Sequence, residues 1–327
     1  MPEDPAPAIL VERCRQSIAR GSTSFHAASR LFPAAIRDDV WLLYAWCRRC
    51  DDAIDGQDHG RPLRRADSPG AAVAAPPAGD DGCARLEQLR RLTRAALASE
   101  APDDPAFLAL QHVARRHRIE ARWPNDLLEG FAMDVAGRQY DSLDDTLDYC
   151  WSVAGVVGVM LALVMGARDP AVLRRAQDLG LAFQLTNICR DVLEDARAGR
   201  VYLPREALAR HGVAATPQAV ADPAQAAGVH AAACELLARA ETFYDSSRVG
   251  LRDLPWRSAL AVAAARGIYR EIGRRVRRGG AAALSQRARV PRAMFAWLLL
   301  RGVGVAAWSR LERRTARPAR PMLWTRI

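Results

Sequence analysis

The chain has 327 residues, half of them apolar, which is material for a large core in one or two domains. Its basic residues, 47 in all, are every one arginine, and with 37 acidic residues they leave a net charge of +10; the lack of lysine excludes a lysine Schiff base and the lysine of a standard phosphate loop. Seven cysteines make an odd set without a disulfide framework, and the amino terminus lacks the charged-then-apolar pattern of a secretion signal, so a reduced cytoplasmic setting is expected.

In chain order, the spacing predicts a helix from Ala8 to Ala19 that ends at Gly21. Ser22-Thr23-Ser24-Phe25 then offers hydroxyls that can cap the next helix or hold an anion. A helix from about Asp38 has Val40, Leu43, Tyr44 and Cys47 on one face and stops near Gly56. It carries Arg48, Asp51 and Asp55; Cys47 and Cys50 form a lone CxxC read as helix residues, since zinc would want a second pair or histidines. Gly56 to Cys83 is rich in Pro, Gly, Ala and charge without an apolar period, and reads as a mobile loop. Helical patterns follow over roughly 84–99, 104–116, 124–137, 143–167, 170–195, 204–211, 217–249, 255–277 and 290–314. β-branched alternation is scarce, no internal repeat appears, and the expectation is a single all-α domain. The uncharged run Trp151–Ala167 reaches only the lower limit for spanning a bilayer, contains Gly155, Gly158 and Gly166, and reads as a buried central helix.

Charge is uneven along the chain. From Arg266 to the end sixteen arginines face only Glu271 and Glu312. With Trp297, Leu298 to Leu300, Trp308 and Trp324 interleaved, this basic end suits either contact with an anionic membrane surface or a solvated face with a ragged tail at 315–327. No zinc-finger, basic-zipper or RNA-stacking signature accompanies it, so no nucleic acid partner is expected.

Chemistry is concentrated in two segments, Asp51-Asp52-Ala53-Ile54-Asp55 and Asn187 to Asp195. Residues four apart share a helix face, so Asp51 and Asp55 form one stripe, and Asn187, Asp191 and Asp195 another. Stacked like charges destabilise a helix, and oxygen donors without histidine suit Mg²⁺, with Mn²⁺ as the alternative, completed by substrate phosphates. Arg48 and Arg190, beside these stripes, can grip the remaining phosphate oxygens. The rest of the bundle supplies apolar and aromatic residues, including Phe25, Tyr44, Tyr149, Trp151 and Tyr269, which suits a hydrocarbon chain ending in diphosphate and a carbocation kept from water.

The stretches Tyr44 to Asp55, Glu129-Gly-Phe-Ala-Met-Asp134, Tyr149 to Gly158, Leu181 to Asp191 and Asp195 to Pro204 resemble the squalene and phytoene synthase family over about residues 15–290, most closely its bacterial phytoene synthases. The resemblance implies an all-α isoprenoid synthase fold that joins two geranylgeranyl diphosphates head to head through a cyclopropylcarbinyl diphosphate, with Mg²⁺ and in carotenoid biosynthesis. It places Asp51, Asp55, Asn187, Asp191 and Asp195 at the metal site, with Asp52 and Gln184 adjoining. Ser22, Ser24, Arg48, Arg190, Tyr269 and Arg287 match diphosphate contacts, and Tyr149 matches a cavity tyrosine of the later rearrangement. Trp151 stands where many relatives have a smaller aromatic, which bears on cavity shape. The alternative is a C30 enzyme using two farnesyl diphosphates; squalene formation would need a reductant, and no dinucleotide fingerprint is present, so no nicotinamide cofactor is expected. Downstream carotenoid enzymes are the partners this reading implies.

Overall fold

The computed structural model describes residues 7–21, 28–58, 61–62, 80–100, 102–285, 288, 290–312 and 315–327. Its long helices are α1 (Ala8–Gly21), α2 (Ala34–Asp55), α3 (Asp80–Leu97), α4 (Pro105–His117), α5 (Arg122–Val135), α6 (Leu143–Cys150), α7 (Val156–Val164) and α8 (Pro170–Arg197). The short α9 (Arg205–Arg210) and α10 (Pro217–Ala221) precede α11 (Ala226–Gly250), α12 (Trp256–Arg278), α13 (Ala282–Ser285) and α14 (Arg292–Glu312). The only strands among the described residues are two-residue pieces, Gln57–Asp58 paired antiparallel with Arg61–Pro62.

Local chemistry sets most of the boundaries. Helix α2 follows Pro33, four residues earlier than the apolar spacing suggests, and ends on Gly56 in the left-handed region at φ 63°. Asp104 and Asp169 cap α4 and α8 by accepting from the amides of Ala106 and Ala171, each with proline at the first helical position. Ser142 and Asp145 form a reciprocal capping box on α6. Part of the expected loop over 56–83 is corrected: 57–58 and 61–62 pair, and α3 begins at Asp80, with Asp81 in the first turn where the helix dipole favours an acid. Residues 59–60 and 63–79 of that loop lie outside the described residues. The helix expected over 217–249 is broken at Asp222-Pro223, because Pro223 cannot continue the hydrogen-bond ladder and Asp222 caps the next turn instead.

Helices α6 and α7 are joined without a turn by a π-helical stretch, Trp151–Gly155. The combined segment Leu143–Val164 is long and apolar enough to cross a membrane, but 67% of its window is buried inside the fold. It crosses α8 at backbone contact. A Cβ on Gly158 would stand 2.5 Å from the Ala176 carbonyl, and one on Gly180 2.3 Å from that of Ala154. Only glycine permits this approach, which seats α8 deep against its neighbours. Helix α8 is about 42 Å long at 1.5 Å rise per residue. One side buries Leu181, Leu185, Ile188 and Val192, and another opens on a central cavity.

Candidate active site

The cavity has a volume of about 400 Å³. Its walls come from α2 (Val40, Leu43, Tyr44, Cys47), α5 (Leu127, Phe131), the π-helical stretch (Val153, Ala154) and α7 (Val157, Leu161). Facing them are α8 (Leu179, Phe183) and α12 (Ala261, Val262, Ala265). Polar groups gather at one end: Arg48, Asp51, Asp134, Tyr149, Gln184, Asn187 and Tyr269. Six of these seven positions were expected from the sequence, and helices α2 and α8 do bring the first members of both acidic stripes to one cavity.

Four of the acids at this end are held by arginines. Arg48 donates to Asp51 at 2.8 Å and pairs with Asp52 at 3.1 Å, Arg190 donates to Asp191 at 2.8 Å, and Arg200 donates to Asp55 at 2.7 Å. Asp52 is otherwise buried, while the Asp51 carboxylate is 40% exposed toward the cavity. Enclosure by protein and then the charge of Asp55 push the Asp51 carboxyl up to about 7. Burial, followed by the charge of Asp191, drives Asp195 well above the carboxylate range. Asn187 donates to Gln184 at 3.3 Å, but its buried Oδ1 finds no hydrogen-bond partner among the described residues. The stripes are thus crowded with negative charge, and one of their oxygens lacks a donor among the described residues.

Asp134 lies between them, since its charge raises both Asp51 and Asp195. It accepts from the hydroxyls of Tyr149 at 3.1 Å and Tyr202 at 2.8 Å, and burial pushes it up to about 6. The two tyrosine rings stack at 4.7 Å, with Tyr140 5.5 Å from Tyr149. Burial, with the charge of Asp134 adding to it, keeps the Tyr149 phenol protonated. Across the cavity Phe183 stacks on Tyr269 at 4.3 Å. Asp134, Tyr202, Arg200, Phe183 and Phe131 are site residues that spacing did not single out; all five sit inside stretches that carry the family resemblance, and the two phenylalanines look like ordinary core.

Trp151 corrects an expectation. It is buried against Trp123, edge to face at 6.1 Å, its Nε1 donates to Asp126 at 3.2 Å, and it is not among the residues lining the cavity. The π-helical register turns its indole into the α5 interface, so Phe131 and Phe183 supply aromatic wall in its place. Ser22, Ser24, Phe25 and Arg287 lie outside the described residues.

The tail corrects a second expectation. Residues 315–327 are not ragged: Arg317 pairs with Asp169 at 2.7 Å, Arg320 with Asp178 at 2.6 Å and Arg326 with Asp148 at 3.1 Å. Part of the carboxy-terminal positive excess is therefore neutralised by acids from earlier in the chain.

A family model described as squalene/phytoene synthase matches residues 18–294. The chain is 48% identical to the 15-cis-phytoene synthase of Paracoccus sp. (strain N81106 / MBIC 01143), over 97% of this chain and 98% of that one. It is 45% identical to the 15-cis-phytoene synthase of Pantoea ananas over the same shares. Among solved structures, a dehydrosqualene synthase in complex with ligand superposes with a TM-score of 0.78 at 28% identity, covering 92% of this chain and 97% of that one. A squalene synthase from Alicyclobacillus acidocaldarius gives 0.69 at 27% identity, with 84% and 97% covered. An all-helical bundle closed around a greasy cavity, with acidic stripes at its polar end, is thus matched over nearly its whole length, and the chain belongs to the squalene/phytoene synthase family.

Proposed function

We infer that the protein is a phytoene synthase, a prenyltransferase that condenses two geranylgeranyl diphosphates head to head through a cyclopropylcarbinyl diphosphate. The observation that carries this is a long apolar cavity whose polar end holds Arg48, Asp51 and Asn187 from two facing helices. Near full-length likeness to phytoene synthases, at 45–48% identity, supports the C40 reading over the C30 one.

The all-oxygen donor set Asp51, Asp55, Asn187, Asp191 and Asp195 fits Mg²⁺, which would answer both the Asn187 oxygen that lacks a donor among the described residues and the crowding of Asp51 by Asp55. When bound, the cation supplies Lewis-acid stabilisation of the departing diphosphate. The chain's own residues do the rest. Arg48 and Arg190 sit beside the acids, where they can turn to diphosphate oxygens with bidentate geometry, and Tyr269 can donate from the opposite wall. Phe131, Phe183 and the ring of Tyr149 present π faces to the developing carbocation. The lining excludes water that would otherwise quench it. Hydrogen-bonded to Asp134, Tyr149 stays a neutral phenol with its ring fixed beside the reacting carbons, which fits a part in the rearrangement.

Peripheral membrane contact is the second element of the proposal. Trp297, Leu300, Trp308 and Leu311 are all exposed and recur along one stripe of α14, with the Arg301 guanidinium 5.5 Å from the Trp297 ring. Such a face would lay the protein against the bilayer that must receive a C40 hydrocarbon and pass it to downstream carotenoid enzymes. Co-sedimentation with anionic liposomes should fall in a Trp297→Ala/Trp308→Ala double variant; equal partitioning removes this element.

The deciding test of the main reading is incubation with Mg²⁺ and either C15 or C20 diphosphate, followed by mass analysis of the hydrocarbon. A C40 hydrocarbon with a conjugated central triene is expected from the C20 substrate; product only from the C15 arm would overturn it.

A further inference from the structure

The end of the cavity opposite the acids is closed in part by an arginine. Val172, Arg175, Ala176, Gly250, Leu251 and Leu254 line it. Val172 precedes Asn187 on α8 by fifteen residues, which puts this floor about 22 Å below the polar end at 1.5 Å per residue. Arg175 is 3% exposed, and its stem lies against Gly250, where an added Cβ would stand 3.1 Å from the Arg175 Cβ. A guanidinium at the bottom of a hydrocarbon chamber is costly unless its donors are satisfied. It donates to the Ser246 carbonyl at 2.9 Å and to the Pro318 carbonyl at 2.7 Å.

Pro318 belongs to the carboxy-terminal segment, and that segment is strapped down on the same stretch of α8. Arg320 donates to both oxygens of the fully buried Asp178, at 2.6 and 3.0 Å, and Ser246 Oγ donates to Asp178 as well. Gln177 Oε1 accepts from the Arg326 amide at 3.2 Å, and Arg174 donates to the Ile327 carbonyl at 3.0 Å. Four residues of one α8 turn, 174, 175, 177 and 178, therefore hold the strap, and one of them is the cavity floor.

We propose that the carboxy-terminal strap sets the depth of the hydrocarbon cavity: Arg320 on Asp178 and the Pro318 carbonyl pin Arg175 across its far end and so limit the length of prenyl chain the enzyme accepts. This rests on the cavity being the prenyl diphosphate site. Arg320 is a positioning residue, acting through Arg175, which meets the end of the chain. A free strap lets Arg175 swing out, and a chain one isoprene unit longer then fits.

The test is competition between C20 and C25 prenyl diphosphates, with the wild type, Arg320→Ala and Arg175→Ala compared in full-length protein. Both variants should raise the C25:C20 ratio of kcat/KM by about tenfold, the scale on which a pocket discriminates one apolar group. A strap that only stabilises the fold would lower the Tm of Arg320→Ala and leave the ratio where it was, which overturns the proposal. Should Arg320→Ala not fold, Arg175→Ala, which keeps the Arg320–Asp178 pair, decides alone by the same ratio. A wild type inert toward every prenyl diphosphate would instead refute the functional reading itself.

Discussion

The two ends of the cavity both bury charge, and they do so in opposite ways. At the floor, Asp178, Arg175 and Gln177 are almost wholly enclosed, and each has protein partners. At the polar end burial and neighbouring acids favour the protonated forms of Asp51 and Asp195, and Asn187 keeps an oxygen unanswered among the described residues. A satisfied buried charge is structure, because removing one partner strands the other. An unsatisfied one is a place where something else is meant to bind, and its cost to the folded state is the mark of a function.

That contrast is broken most directly by removing acids from the polar end. Asp51→Ala or Asp191→Ala should lower turnover about a thousandfold or more, the scale of losing preorganised charge stabilisation. Far-ultraviolet circular dichroism should be unchanged and the shift in Tm small, since relief of like-charge crowding offsets the loss of an arginine's partner. Substantial activity in either variant would sink the assignment. Excess chelator should match the loss without touching helicity, and added Mg²⁺ should restore activity.

The floor should answer with the reverse pattern. Asp178→Ala strands Arg320 and frees Ser246, and should cost about 3–5 kcal/mol of stability, the range for breaking a buried ion pair. Below its lowered Tm, turnover of the C20 substrate per folded molecule should remain within a few-fold of wild type. Urea melts paired with kinetics at low temperature check both halves, and a stable but inactive variant would contradict the division.

Between the two ends stands the crossing of α8 with the π-helical stretch that leads into α7. Gly180→Ala would place a Cβ 2.3 Å from the Ala154 carbonyl and 2.7 Å from the Gly155 Cα, so two backbones must part. A loss of about 1–3 kcal/mol is expected from overpacking, with a fall in activity as α8 carries Asn187 off line. Unchanged stability would mean that the helices have room to separate.

How much of this was legible in the sequence follows from the same physics. Helix positions and the two acid stripes were readable, because a 3.6-residue period and Asp-x-x-x-Asp spacing are local properties. The Asp104, Asp169 and Ser142 caps are local in the same sense. The Arg320–Asp178 pair joins residues 142 apart, and the Asp134 bridge joins α5 to Tyr149 and Tyr202; nothing local marks such pairs. The tail looked ragged because its order comes from carbonyl and carboxylate partners on α8, not from any period of its own. Trp151 misled because a π-helical stretch shifts side-chain direction by part of a turn, which no α-helical projection anticipates.

The mildest change tests the tyrosine of the polar end. Tyr149→Phe removes one hydroxyl from Asp134 and keeps the ring that stacks on Tyr202 at 4.7 Å. The polar end with Arg48, Asp51 and Asn187 is untouched, so consumption of the first diphosphate should proceed within a few-fold of wild type. The ring is now free to tilt, and Asp134 retains only the Tyr202 hydroxyl, so the second stage should suffer more. The ratio of cyclopropylcarbinyl diphosphate to hydrocarbon, read by mass analysis of quenched reactions, should rise by about tenfold, within the range a positioned side chain contributes. Equal slowing of both stages would place Tyr149 with the diphosphate grip instead.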